Sequence, residues 1–366
     1  MNTKEFIEQL RIQTGVPYLD VVCYQDHKEV FRYISGENST GKEQLYMYSC
    51  SKPITVVAAM RLVESGKLSL DDKVCTYLPE VKDAYIVNKQ GEKVTVGDQM
   101  TIRQLFTMTA GFTYDVTTQP VKQLVKDSQG KAVLRDFIST FVQSPLAFAP
   151  GERFNYSLCH DVLAAVVEVV ANKKFSAYVK EEIFAPLMMN NSSFDNDDSN
   201  VIEMYMAMDD GRVEKVNERN ILIPTFGYES GGASLISTVE DYILFADALA
   251  CGGKGKNGYH LLGEEALNQL STKHIGGISD DSGFTCIQGN DYAYGLGVRV
   301  REVPTPWGLE KGEFGWDGAA CSYVLVDPNK KVSVFVGMHL RNWPVVFDGK
   351  HLQIVEKLYN EFFSEK

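Results

Sequence analysis

The sequence has no Cys-x-x-Cys pair and no His/Cys spacing of the kind that holds zinc. Its seven cysteines (Cys23, Cys50, Cys75, Cys159, Cys251, Cys286, Cys321) form an odd, scattered set. That excludes a regular disulfide frame and points to free thiols in a reducing cytoplasm. No run approaches the ~20 apolar residues needed to cross a bilayer. The opening MNTKEFIEQLRIQTGVP is polar and amphipathic, without the apolar centre or small-residue cleavage site of a secretory leader. Lys and Arg number 36 against 48 Asp and Glu, a net charge of −12. Nucleic acids and anionic membrane surfaces both require a basic patch, so neither is expected as a partner. There is no repeat and no low-complexity tail.

Two loops resemble ligand sites and fail on chemistry. GENSTGKE (36–43) matches a phosphate loop up to its lysine, but Glu43 stands where Ser or Thr must meet magnesium, and no helix pattern follows. DNDDSN (195–200) lacks the glycine at the sixth position of a calcium loop, and Met206 stands where the bidentate glutamate belongs. No metal and no cofactor are expected.

What is present is 366 residues, 44% of them hydrophobic and 23% charged. This is enough for a large core and about two domains. Residues 3–14 pattern as a helix. YLDVVCY and EVFRYIS flank the polar QDHK as a hairpin, and YIVNKQGEKVTV is a second one turning at Gly91. Pro53 to Glu64 is apolar almost all round, so it reads as a buried helix. MTIRQLFTMTAGF has a cap at Thr101 and a stop at Gly111. From about 130 to 275 the pattern is mostly helical. YAYGLGVRVRE, CSYVLVDP and KVSVFVGMHL are strand-like, and GKHLQIVEKLYNEFF closes as an amphipathic helix. Strands at both ends with helices between predict an α+β fold. A discontinuous domain (1–75 and 285–366) with an antiparallel sheet would hold an inserted helical domain (76–284), the site lying in the cleft between them.

Ser-x-x-Lys occurs three times, at Ser39/Lys42, Ser49/Lys52 and Ser128/Lys131. The first and last lie in NSTGK and DSQGK, which are polar turns. Only YMYSCSKPITVVAAM (46–60) joins the pair to an apolar helix. Positions i and i+3 share a helix face, so the Lys52 amine is expected to reach the Ser49 hydroxyl. Burial and the positive end of the helix both disfavour an ammonium, which makes Lys52 a plausible base for an otherwise inert hydroxyl. The alternative is a capping serine beside a solvated lysine. With no Gly-x-Ser-x-Gly elbow, His27, His160, His260, His274, His339 and His351 have no such serine to serve. His160, one turn after Tyr156, is expected to be structural.

In one order along the chain stand Ser49-Cys50-Ser51-Lys52, GKLSLDDKVCTYLPE, MTIRQLFTMTAGF, PGERFNYSLCHDVLAAVVEVV, IFAPLMM, GGASLISTVEDYILFADAL and FGWDGAACSYVLVDP. From about residue 15 onward the chain thereby resembles the serine β-lactamase and penicillin-recognising superfamily, on its class C β-lactamase and esterase side. The resemblance implies a β-lactamase/transpeptidase-like fold. It makes Ser49 the nucleophile, Lys52 its partner and Tyr156 the tyrosine of the second motif. It puts the third motif at Trp316-Asp317-Gly318 and the oxyanion hole at the backbone N–H groups of Ser49 and Ala319. Tyr156 beside an ammonium is expected to have a lowered pKa and to relay protons. Gly318 is expected to let a substrate approach the strand closely.

Two departures shape the expected substrate. Leu158 stands in place of the family's usual asparagine, and Trp316 in place of its usual lysine. An apolar wall and an indole replace an amide and a cation, which favours a neutral ester or amide small molecule over an anionic β-lactam. Tyr48 and Tyr228 are further candidates for substrate contact, with Phe112, Tyr114 and Phe226 as unranked aromatics. Gly231 and Gly232 are expected in a tight turn near the site. The expected reaction is ester cleavage through an acyl-enzyme. The alternatives on this scaffold are a D-aminopeptidase or amidase, a β-lactamase, an acyltransferase, or a catalytically silent penicillin-binding-like sensor. Cys50, Cys159 and Cys321 each lie within three residues of a motif. They are expected to be small buried residues; the other reading is a thiol-sensitive site. Oligomeric state is not legible.

Overall fold

The chain begins with helix α1 (Thr3–Thr14), closed at its start by an Asn2/Glu5 capping box and at its end by Gly15 in the left-handed region. Strands β1 (Leu19–Gln25) and β2 (Lys28–Ser35) follow as a hairpin. Its two-residue turn places Asp26 and His27 at φ 47° and 66°, a conformation usually left to Asn and Gly. The structure, a computed structural model, describes residues 1–36, 39–275 and 291–364. Cys286 and the 284/285 domain boundary lie outside the described residues.

Helix α2 (Ser51–Glu64) is buried on nearly every side and packs on α3 (Cys159–Ala171). Both are rich in Ala and Val where they meet, which permits close approach. Helix α4 (Val239–Ala250) carries a Thr238 cap. The C-terminal part supplies β3 (Tyr292–Tyr294), β4 (Arg299–Arg301), β5 (Phe314–Asp317), β6 (Tyr323–Asp327) and β7 (Val332–Gly337), then α5 (Lys350–Phe362).

Among the described residues these seven strands form one antiparallel sheet, ordered β2-β1-β7-β6-β5-β4-β3. The two ends of the chain therefore meet at β1–β7, with Cys23 opposite Val334. Strand alternation sends side chains to both faces. Val21, Cys23, Val334 and Val336 pack with Ile7, Leu10, Ile354 and Leu358 of α1 and α5. Val22 and Phe335 join the larger core on the other face, where α4 lies on β1, β6 and β7.

Three expectations need correction. The middle of the chain is not helical throughout: Met204–Ala207 and Val213–Val216 form a hairpin, with Leu340–Arg341 parallel to its first strand. This hairpin is only partly buried, so its hydrophobic alternation is weak. Helix α4 falls within 76–284 yet covers the sheet, because its apolar face has the strands to bury against. The Thr101-capped helix ends at Phe106 rather than running to Gly111, and Met108 turns the chain at φ 57°.

Candidate active site

Ser49 lies in a single 3-10 turn, Tyr48–Cys50, that runs straight into α2. Tyr48 holds φ 45°, an unfavourable value for a bulky residue just before the serine. Its ring is buried among Tyr46, Met204, Ile236 and Ala320, and that packing offsets the strain. Three bonds tie the turn and the first turns of α2 to their surroundings. The Leu235 N–H donates to Ser51 Oγ at 3.0 Å, Thr55 Oγ1 donates to the Gly231 carbonyl at 2.7 Å, and the Tyr242 hydroxyl donates to the Cys50 carbonyl at 2.7 Å.

Lys52 is wholly buried. Its Nζ lies 2.8 Å from the Gly232 carbonyl oxygen, 3.2 Å from Ser49 Oγ and 3.4 Å from the Tyr114 hydroxyl. It also stands 4.6 Å over the Tyr156 ring. A neutral amine has two N–H bonds and one lone pair. Those three directions match two acceptors, Gly232 and Tyr114, and one donor, the Ser49 hydroxyl. Burial pushes the amine down from 10.5 to about 7, and the nearby Asp161 carboxylate opposes that shift.

Residues 155–158 pair with 108–113, which sets Tyr156 beside Tyr114. The Asn155 N–H donates to the Met108 carbonyl at 2.9 Å, Asn155 Nδ2 to the Phe112 carbonyl at 2.7 Å, and the Leu158 N–H to the Thr113 carbonyl at 3.2 Å. The two phenol rings stack 5.5 Å apart, and Trp316 stacks on the far side of Tyr156 at 5.7 Å. Trp316 Nε1 donates to the Tyr156 hydroxyl at 3.2 Å. The Ser49 side chain lies near both phenols and opposes, more weakly, the effect of burial on them. Burial pushes both phenols well above 10. This corrects the lowered value expected for Tyr156. The lysine beside it is itself driven toward neutrality, so no full cation stabilises a phenolate.

Behind Lys52, Asp161 sits fully buried in the first turn of α3. Its Oδ1 accepts from the Tyr228 hydroxyl at 3.0 Å and from Ser230 Oγ. Its Oδ2 has no hydrogen-bond partner among the described residues. A side chain on Gly232 would come within 2.9 Å of that oxygen, 3.2 Å of Lys52 Nζ and 3.4 Å of the Tyr114 hydroxyl. A side chain there would push these three tips apart, so glycine keeps them close.

The other expected residues divide by placement. Trp316 is buried against Tyr156, with Tyr294 edge-on at 5.3 Å. Leu158 lines a small pocket of mixed polarity, with Phe112, Phe141 and Leu146 on its apolar side and Asp115, Thr118 and Ser144 on its polar side. Ala319 lies exposed just beyond β5. Asp317 is ion-paired to the buried Arg299 at 2.7 Å, so its carboxylate is already engaged. A side chain on Gly318 would come within 2.5 Å of the Met47 carbonyl oxygen. On the side a Cβ would occupy, this glycine is approached by the backbone before Ser49. Tyr48 and Tyr228 are also corrected, since both are buried: one anchors the serine turn and the other supports Asp161. Phe226 is 66% exposed.

His160 is buried, its Nε2 3.3 Å from the Phe106 carbonyl oxygen, and burial holds it at about 3. Cys50, Cys159 and Cys321 are buried, and burial pushes their thiols up, to about 12 for Cys50 and about 11 for Cys159. Two residues escaped sequence reasoning. Tyr114 stood among several unranked aromatics. Asp161 reads as an ordinary acidic residue at a helix start; its signal is that it is the one charge in the first eight residues of a strongly apolar helix.

The family model described as Beta-lactamase matches residues 3–358. Protein Rv1367c of Mycobacterium tuberculosis is 26% identical over 305 residues, covering 77% of this chain and 73% of that one. Esterase EstB of Burkholderia gladioli is 30% identical over 227 residues, 55% of each chain. Among solved structures, EstCE1, a hydrolase with promiscuous acyltransferase activity, superposes with a TM-score of 0.79 at 23% identity over 98% of this chain and 97% of that one. No described helix is long and apolar enough to cross a membrane.

Proposed function

The chain belongs to the Beta-lactamase family and is a serine hydrolase; we propose that it cleaves a neutral carboxylic ester through an acyl-enzyme on Ser49. The observation that carries this reading is the buried Lys52 amine, 3.2 Å from Ser49 Oγ and held near neutrality. No carboxylate lies within ion-pair distance of it among the described residues, so its lone pair is available to the serine.

Ser49 Oγ attacks the ester carbonyl carbon as Lys52 takes the hydroxyl proton. The oxyanion meets the backbone N–H groups of Ser49 and Ala319, donors aimed at charge that develops only in the tetrahedral state. The C–O bond then breaks, and the leaving alkoxide takes the proton back from Lys52. Tyr114 and Tyr156 keep their protons, so they serve as donors to Ser49 Oγ and to the leaving oxygen. Trp316 fills one lone pair of the Tyr156 hydroxyl, which directs its O–H toward the serine. Water, deprotonated by the same amine, attacks the acyl carbonyl; the bond from that carbon to Ser49 Oγ breaks, Oγ takes the proton back from Lys52, and the acid is freed.

The preference for a neutral ester rests on Trp316 and Leu158. Strand β5 offers the Trp316 indole in place of a cation for a substrate carboxylate, and Arg299 on the neighbouring strand is committed to Asp317. Initial rates with p-nitrophenyl butyrate, together with a fluorophosphonate label located by mass spectrometry, test this. Expected are a single label on Ser49 and a loss of about 10⁴-fold in Ser49→Ala. Turnover retained in Ser49→Ala, or a label elsewhere, refutes the assignment.

A further inference from the structure

Three metal-ligating side chains meet at the C-terminal end of α4. The helix is 12 residues long, so this end lies about 18 Å from the end that adjoins the Lys52 pocket. Asp247 and Cys251 are one turn apart and share a helix face. His27 reaches them from the β1–β2 turn. Its Nδ1 is 2.7 Å from Asp247 Oδ2, and its backbone N–H donates to Asp247 Oδ1 at 3.2 Å. Cys251 Sγ is 3.7 Å from Asp247 Oδ1. One ligand atom from each residue lies within 4.8 Å of the other two.

The charges here favour a cation. The Asp247 side chain is 1% exposed, and its one ion-pair partner among the described residues is His27, which is charged only when protonated. A buried carboxylate needs a compensating positive charge. Lys331, the neighbouring cation, is held by Asp26 at 2.9 Å. Cys251 caps α4, so the negative end of the helix dipole points to the same place.

We propose that His27, Asp247 and Cys251 bind a divalent, borderline-soft cation of the zinc class, with a water in the fourth position. One imidazole, one carboxylate and one thiolate suit such an ion and exclude magnesium and calcium, which take oxygen shells. Tetrahedral bonds of about 2.0–2.3 Å place ligand atoms about 3.3–3.7 Å apart. Cys251 Sγ is 3.7 Å from Asp247 Oδ1 and His27 Nδ1 is 2.7 Å from Oδ2, so the imidazole moves outward by less than about 1 Å and the carboxylate turns to offer one oxygen to both. Binding releases the Cys251 thiol proton to solvent and leaves the His27 ring proton on Nε2; nothing is oxidised or reduced. The ion pins the N-terminal hairpin to α4 and supplies the buried Asp247 carboxylate with a positive charge. Asp26, Lys28 and Lys331 are the other charged groups around the turn.

The test is titration of the metal-stripped protein with Co²⁺ at neutral pH. A sulfur-to-cobalt charge-transfer band and tetrahedral d–d bands are expected to saturate at one equivalent and to bleach with Zn²⁺. Cys251→Ser loses the charge-transfer band. His27→Ala and Asp247→Asn weaken binding by at least about tenfold, and ester turnover is unchanged in all three. A missing band, or one undiminished in Cys251→Ser, overturns the proposal. A second readout needs no variant: Zn²⁺ should protect Cys251 of the native protein from iodoacetamide. Equal alkylation of Cys251 with and without Zn²⁺ also overturns it.

Discussion

If Lys52 is the base, the enzyme's pH profile belongs to a buried amine, and one substitution should move it in a known direction. A tenfold change in proton affinity is worth about 1.4 kcal/mol, so depression from 10.5 to about 7 means burial disfavours the ammonium by about 5 kcal/mol. The base must be neutral. kcat/KM should therefore climb about tenfold per pH unit at low pH and level off above about 7. Stability follows the same sign: below about 7 the folded protein carries the full penalty of a buried ammonium. That penalty fades as pH rises toward 10.5, because the unfolded chain then holds more protons than the folded one. Asp161 opposes the depression. Its Oδ2 and Lys52 Nζ flank one point from 2.9 and 3.2 Å, so they are at most about 6 Å apart. With an effective dielectric of about 20, that pair is worth about 3 kcal/mol, or about a hundredfold in proton affinity. Asp161→Asn keeps the oxygen that accepts from Tyr228 and Ser230 and removes the charge. The limb should move toward acid by about 1–2 in pH. The assay is p-nitrophenyl butyrate hydrolysis, followed at the isosbestic wavelength so that nitrophenol ionisation does not imitate a limb. His160, held at about 3, and the two phenols, raised well above 10, do not titrate in the window. A limb that vanishes in Asp161→Asn belongs to the carboxylate, and one that stays or moves up denies the coupling. Either result refutes the reasoning.

Three further outcomes are expected. Tyr156→Phe should lower kcat by about 10²-fold or more, while Tyr114→Phe, which leaves Tyr156 and its Trp316 bond in place, should cost about tenfold. Equal losses would show that the two phenols are not distinct in role. Gly318→Ala should lose about 1–3 kcal/mol of stability, read by denaturant melts, because the new methyl meets the Met47 carbonyl before the serine turn. Native thiol titration should leave Cys50, Cys159 and Cys321 unreacted, and mild peroxide should not slow turnover; modification of any of the three with parallel loss of rate would contradict their burial.

Much of the fold is legible locally. The capping box at Asn2, the Asp26-His27 turn and the short Val-rich apolar runs of the last strands each fix an element without outside help. The Met204–Val216 hairpin is not legible, since half its side chains face solvent and the pattern has no period to show. Within the site, the Ser49/Lys52 spacing is a local fact, because i and i+3 on one backbone turn must be neighbours. Tyr114 becomes visible only when the 108–113 and 155–158 segments pair.

The sequence by itself determined the chemical types: a serine, a lysine one turn on, a tyrosine before an apolar helix, an indole before an Asp-Gly. Those are covalent facts and short-range geometry. Only the tertiary structure decided their electrical state. Burial by α3 and the 230–235 segment makes the Lys52 amine a weaker base that is readily neutral, keeps both tyrosines protonated, and sets Asp161 against the amine from a helix a hundred residues away in the chain. It likewise brought His27 to Asp247 and Cys251, ligands whose spacing along the chain carries no signal. Desolvation and Coulomb energy depend on distance in space, and sequence separation does not measure that distance.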